Sequence, residues 1–467
     1  MKKFKMPTAY SILFIIIIIM AILTWIIPAG QYEYTPDGEP IAGTYTLAEP
    51  NGQTVKDILL APFQGFYDAV DIAIFILIVG GFLGVMMKTG AISAGISGII
   101  SSLGGKEKYM IPILMTVFAI GGTTFGMAEE TIAFYPLILP IFIAAGYDSI
   151  TAVSVILLGA GVGVLGSTVN PFATGIASGF AGISLGDGLL LRLLLCIVGL
   201  VLAIVFVMRY AARVKHAPET SFVYDMYEEN KVHFAIASGE NEKEKLSGRQ
   251  KVALILFALV FLIMIYSVIP FEDMGITFLP TLGWWFGELS ALFFVGAVVI
   301  GIVYRLSEED IVSSFVRGCE ELLGVAFIIG ISRGITVIMN SGLITDTILH
   351  WGETALSGTH SVLFTILNYL IFIPLSFLIP SSSGLATLSM PIMAPLADFS
   401  GVGRSLVITA FQCASGILNL FTPTSAVVMG ALAIGRVPYD KWLRFSLKFV
   451  LLLFVICAAV LAIASFL

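Results

Sequence analysis

Long apolar runs alternate with short polar breaks along the whole chain. Runs of transmembrane length recur at about residues 9–28, 67–87, 149–184, 188–210, 251–270, 286–304, 320–340, 404–434 and 441–466. The pattern predicts an all-α polytopic membrane protein. Two runs are interrupted. "GVLGSTVNPFATG" (163–175) and "GILNLFTPTSAVVMG" (416–430) each place Pro after small polar residues inside an apolar stretch. Proline removes a helical hydrogen bond and clashes with the preceding turn. The freed backbone groups need partners, and ions or substrates are natural ones.

Two further stretches read as apolar arm, polar tip, apolar arm. The first is 109–120, "GGTTFGMAEET" and 132–145; the second is 361–378, "IPSSSG" and 385–397. As full crossings they would put Lys-rich loops on the wrong face, so they predict re-entrant hairpins. Irregular backbone at membrane depth is tolerated only within protein or beside a wet cavity. The stretches 92–103 and 344–356 predict segments lying along an interface.

The chain resembles itself. "FYDAVDIAIFILIVGGFLGVMMKTGAI" (66–92) matches "VRGCEELLGVAFIIGISRGITVIMNSGLI" (316–344), pairing Gly65 with Gly318, Gly81 with Gly334 and Met86 with Met339. Pro136 pairs with Pro391, Pro140 with Pro395 and Arg192 with Arg444 at nearly the same offset. This predicts a first helix and external loop (1–52), a first repeat (53–211), a linker (212–250), two extra scaffold helices (251–306) and a second repeat (307–467).

Charge orients these parts. Lys2, Lys3 and Lys5 place the N-terminus in the cytoplasm, and the loop 31–51, with acids and no Lys or Arg, outside. The apolar core of the first run is too long for a signal peptide, so it reads as a retained helix. The second repeat then starts from the opposite face, an inverted topology, with the C-terminus outside. The expected location is a bacterial-type inner membrane.

Composition narrows the classes. The chain is 58% hydrophobic and 12% charged, against about 25% charge in soluble domains. The net charge of −7 lies in loops, and no basic stripe points to nucleic acid. The four cysteines form no CxxC pair, the four histidines show no ligand spacing, and no GxxxxGK loop is present. No cofactor is expected. An enzyme is not expected either, since neither His nor Cys accompanies the carboxylates.

The candidate chemistry lies at the tips and breaks. Glu129, Glu130 and Thr131 mark the first tip; Ser381, Ser382, Ser383 and Gly384 mark the second. Asn170 belongs to the first break, and Asn419, Thr422 and Thr424 to the second. A carboxylate at membrane depth is costly and marks function by default. Two adjacent ones repel unless a proton or cation intervenes. Half-helix N-termini attract anions. A solute with a carboxylate and extra positive charge, such as arginine, ornithine or lysine, suits this set. The alternative is a four-carbon dicarboxylate entering with sodium or protons. A coupling ion, Na+ or H+, is open, with Na+ near Ser167, Thr168, Thr422 and Ser425. Structural readings compete: the acids pair with Arg333 or Arg404, and Arg333 reads as a gating ion pair rather than a ligand. Asp68, Asp71, Glu320 and Glu321 read as interface charges near helix starts. Lipid contact and a homodimer are expected.

At "KMPTAY", "LTWIIPAG", "FGMAEETIAF", "GYDSIT", "NPF", "SSSGLATLSMPIMAPLAD" and "TPTSA" the sequence resembles the YfcC-type family. That family sits within the group named for anaerobic four-carbon dicarboxylate carriers. The resemblance covers nearly the whole chain. It implies the ion-transporter superfamily fold, with inverted repeats, re-entrant hairpins and an elevator-like motion. Some members are assigned as arginine–ornithine antiporters. Sodium–dicarboxylate members of the superfamily carry Ser-Asn-Thr at each tip. Here the tips read Ala128-Glu129-Glu130-Thr131 and Ser381-Ser382-Ser383-Gly384, a departure at both.

Overall fold

Where the sequence stays apolar for a membrane thickness, the chain is helical. The structure is a computed structural model that describes residues 9–36, 40–41, 43–92, 94–95, 106–184, 186–238, 247–268, 271–272, 278–284 and 286–466. Among the described residues six helices are long and apolar enough to cross a membrane: Val70–Lys88, Leu189–His216, Phe286–Tyr304, Glu308–Ser341, Ser361–Leu378 and Tyr439–Ala464. Both expected interruptions are present. One divides Ser149–Leu165 from Ile176–Ala181, and the other divides Arg404–Leu418 from Ala426–Ile434. Both expected hairpins have helical arms, Met110–Phe125 with Tyr135–Ala144 and Ser361–Leu378 with Ser382–Phe399.

The helix expected over 320–340 is longer. It starts at Glu308, where the Ser307 side chain accepts from the Asp310 N–H and three acids occupy the first turn. Acids there complement the helix dipole. Glu320 and Glu321 therefore lie inside an exposed helical face, not near a helix start. In the first half the same stretch is two helices, Val55–Asp68 and Val70–Lys88, split at Ala69.

Small residues bring these helices into backbone contact. A methyl group on Gly318 would overlap the Gly80 carbonyl oxygen, and one on Gly80 would overlap that of Gly318. Such stripes are how helices pack closely without a hydrophobic driving force. Aromatic side chains extend the frame. Phe82 stacks on Phe257 at 5.4 Å and meets Phe293 edge-on at 5.1 Å. Gly248–Val268 and Phe286–Tyr304 are thereby fixed to Val70–Lys88.

The stretch expected as a linker is structured in part. Leu189–His216 runs into it, and a helix follows at Tyr227–Ser238. Ser221 donates to Asp148 Oδ2 at 2.6 Å, while Asp148 Oδ1 caps Ser149–Leu165 by accepting from the Thr151 N–H at 2.9 Å. Asp225 pairs with Lys441, and Glu229 with Arg436. The segment thus grips the ends of both broken helices. On the loop expected outside, Gly30–Gln31 pairs with Thr46–Leu47. Tyr32 donates to Glu353 and Tyr34 to Asp346, each at 2.7 Å, clasping the helix Thr345–Leu356. The counterpart expected over 92–103 lies almost wholly outside the described residues.

Candidate functional site

Met110–Phe125 ends at Gly126, which is left-handed (φ 75°, ψ 29°). Glycine is suited here because a Cβ would suffer αL strain and would press on the Asn170 amide. Asn170 in turn donates to Ser167 Oγ at 3.0 Å and accepts from the Ala173 N–H at 3.2 Å. The first break therefore backs the first tip. Beyond Gly126, Glu129–Phe134 forms a 3-10 turn, with Thr131 Oγ1 donating to the Ala128 carbonyl at 2.5 Å. Glu130 accepts from the Ala128 N–H at 3.1 Å. Among the described residues the Glu129 side chain makes no hydrogen bond or ion pair.

The second tip is a helix start. Ser381 caps Ser382–Phe399 by accepting from the Gly384 N–H at 3.2 Å. The second break ends in another helix start, Ser425 preceding Ala426–Ile434. The first-turn N–H groups of a helix lack intrahelical partners. Both starts therefore present partial positive charge.

These pieces meet around one cavity of about 160 Å³. That is room for a small metabolite rather than a drug-sized ligand, whose pockets run ~300–1,000 Å³. Of the residues singled out in the sequence, Glu129, Glu130, Thr131, Ser381, Ser382, Ser383 and Asn419 line it. Asn170, Gly384, Thr422 and Thr424 stand behind the wall. Thr422 and Thr424 are fully buried, with their hydroxyls bonded to each other at 2.8 Å. The candidate sodium ligands have protein partners of their own. Thr168 donates to the Thr123 carbonyl at 3.0 Å, and Ser167 to the Val164 carbonyl at 2.8 Å. Among the described residues no hydrogen bond joins that pair to Thr422 or Ser425, although Ser425 lines the cavity.

Sequence reasoning left the break carbonyls open to ions, yet the protein takes several of them. Thr123 donates to the Gly166 carbonyl at 2.7 Å, Trp442 to Leu420 at 3.0 Å and Tyr439 to Phe421 at 2.9 Å. Arg192, fully buried, reaches the Asp187 carbonyl at 2.8 Å and Thr168 at 3.4 Å. Arg444, matched with it in the sequence comparison, is exposed beside Asp440, so the two arginines have different surroundings. Set with its amide oxygen toward Thr174, Gln412 accepts from the Thr174 hydroxyl (2.6 Å) and N–H (3.0 Å). It then donates to Ser167 Oγ (3.2 Å) and the Val164 carbonyl (3.3 Å), joining one broken helix to the other. Gln412→Leu should therefore strand buried polar groups and cost about 1–3 kcal/mol. A thermal melt of the purified variant against Gln412→Glu and the parent checks this; an unchanged melt rejects it.

One wall was not foreseen. Ile72, Phe286, Ile329, Ser332 and Arg333 line the cavity from the glycine-packed frame. The Ser332 hydroxyl donates to the Thr424 carbonyl, so frame and second break touch directly. Arg404 does not pair with the acids; it binds Asp398 at 2.5 Å and the Ala181 carbonyl at 2.6 Å. Arg333 is half-buried and makes no ion pair within 4.0 Å among the described residues. The expected gating ion pair is thus not formed. Its signal was present in the sequence: a lone guanidinium in a membrane-depth run, opposite Gly80 at the repeat offset.

Known proteins resemble the chain over its full length. A protein of Haemophilus influenzae (strain ATCC 51907 / DSM 11121 / KW20 / Rd), described as uncharacterised, is 34% identical over 96% of this chain and 95% of its own. The Escherichia coli (strain K12) protein named "Putative basic amino acid antiporter YfcC" is 30% identical over 98% of this chain and 96% of its own. Among solved structures, the Alcanivorax borkumensis YdaH transporter aligns with TM-score 0.43 and 12% identity, over 98% of each chain. Neisseria gonorrhoeae MtrF, described among antimetabolite efflux pumps, aligns with TM-score 0.42 and 15% identity, over 98% of this chain and 95% of its own. The family model described as C4-dicarboxylate anaerobic carrier, DcuC, matches residues 6–466, and the chain belongs to that family of membrane transporters.

Proposed function

We propose that the chain is a secondary transporter exchanging cationic amino acids of the arginine, ornithine or lysine class. The observation that carries this reading is the meeting of Glu129 and Glu130 with two helix starts in one cavity. The acids suit an ammonium or guanidinium group, and the helix starts suit a carboxylate. The name of the Escherichia coli relative points the same way. In this reading the two halves are inverted repeats, and the hairpins and broken helices move as a unit past the frame helices, exposing the cavity to each face in turn. A homodimer would hold the frame still. The N-terminus is placed in the cytoplasm of a bacterial-type inner membrane, and Na+ or H+ remains an optional coupling ion.

Uptake of labelled arginine into proteoliposomes tests this. Preloading with ornithine should raise the initial rate several-fold over empty vesicles. Equal rates would favour gradient-driven uptake over exchange. A second reading, a sodium- or proton-coupled four-carbon dicarboxylate carrier, is favoured by the family description and by the guanidinium in the cavity. Uptake of labelled succinate, blocked by fumarate but not by arginine or ornithine, would select it.

A further inference from the structure

We propose that Arg333 is the residue that reads the solute's carboxylate, and so sets specificity for amino acids over amines lacking that group. This rests on the amino-acid reading above and extends it to a residue on a frame helix that lines the same cavity.

Arg333 sits on Glu308–Ser341, not on a hairpin or a break. Its neighbours fix its setting. Ser332 is bonded to the Thr424 carbonyl, and Gly334 is pressed against the backbone of Ala61. The other arginines near the moving elements are engaged: Arg404 with Asp398, and Arg192 with the carbonyls of Asp187 and Thr168. Arg333 lines the cavity that Glu129 and Glu130 line, yet stands beyond ion-pair distance of either. A guanidinium at membrane depth is costly unless water or a partner meets it. The gap between it and the acids is the space a solute would fill.

The signs of the lining sort the candidate solutes. Two acids and one guanidinium line the cavity among the described residues. Arginine, ornithine and lysine each carry two cationic groups and one carboxylate, the mirror of that set. A dicarboxylate leaves both acids unmatched. A diamine or agmatine satisfies the acids but leaves Arg333 without a counter-charge. The planar guanidinium fork also matches a carboxylate in bidentate fashion, which a lysine ammonium does not. Sites built to pair a polar group discriminate strongly against analogues that lack it.

The test is competition against labelled arginine in proteoliposomes, with arginine, agmatine, ornithine, putrescine and succinate as competitors. The parent protein should prefer arginine over agmatine, and ornithine over putrescine, by about 100-fold, within the range for removing one partner of a buried charge pair. Arg333→Gln should erase most of that preference by weakening the amino acids, with agmatine unchanged or stronger as repulsion is relieved. Arg333→Lys should restore part of it, which a merely structural role would not produce, and it carries the same readout should Arg333→Gln fail to fold. A preference for arginine over agmatine unaltered in Arg333→Gln, with Glu129→Gln still weakening arginine binding, would overturn the Arg333 assignment alone. No uptake of labelled arginine by the parent, with uptake of labelled succinate, would overturn the amino-acid reading and this assignment together.

Discussion

Glu129→Gln should weaken arginine binding by about 30-fold or more while leaving the fold intact. Removing one side of a buried charge pair costs ~2–5 kcal/mol, and each 1.4 kcal/mol is about tenfold. Glu129 is the better test of the two acids because it makes no protein hydrogen bond or ion pair among the described residues. Its carboxylate is therefore free for a solute, and the isosteric amide keeps the cavity's shape. Glu130 holds the Ala128 N–H. A glutamine oxygen can still accept that bond, so Glu130→Gln removes charge without releasing the tip. The two variants should act in the same direction on cations. Both should strengthen succinate binding, which gains when a like charge is removed. Calorimetric titration with arginine and with succinate measures both. Arginine affinities equal to the parent's in both single variants would reject the acids as ligands.

The second large effect lies far from the cavity. Gly318→Val should prevent the frame from assembling. Overpacking usually costs ~1–3 kcal/mol, and more where the neighbour cannot move. Here the neighbour is the Gly80 carbonyl, part of a helix backbone with no rotamer to change. Gly318→Ala should lie between the parent and the valine variant. Gel filtration in detergent should show the valine variant aggregated, and thermal melts should rank the three. A valine variant as monodisperse and stable as the parent would mean that the two helices do not meet as described.

Much of this architecture was readable because lipid imposes simple rules. Apolar length predicted five of the six helices long enough to cross a membrane, Ser361–Leu378 having been read as a hairpin arm, and Pro171 and Pro423 marked the interruptions. The amphipathic stretch 344–356 became the helix Thr345–Leu356. The acidic and serine tips were legible because polar residues at that depth need a reason. What escaped was pairing across the sequence. Trp442, Tyr439 and Thr123 meet the break carbonyls from distant positions, and nothing in the local pattern announces that. Asn170, Thr422 and Thr424 were chosen for their chemistry, which the fold turns toward neighbouring protein groups rather than the cavity. Arg333 was noticed as unusual but assigned a partner, because a sequence shows charges and not the gaps between them. The polar composition of 212–250 concealed a helix whose contacts are made with other segments.

The pairing of Arg333 with Gly80 has a consequence for direction. Two identical units related by a two-fold axis would form a chamber with no head or tail, and a solute could lie in it either way round. A guanidinium in the cavity, with a glycine at the matching position of the first half, would end that ambiguity. Under the exchange proposed above, the occupant would keep a fixed heading through each crossing, so the end that enters first on one side would trail on the return trip.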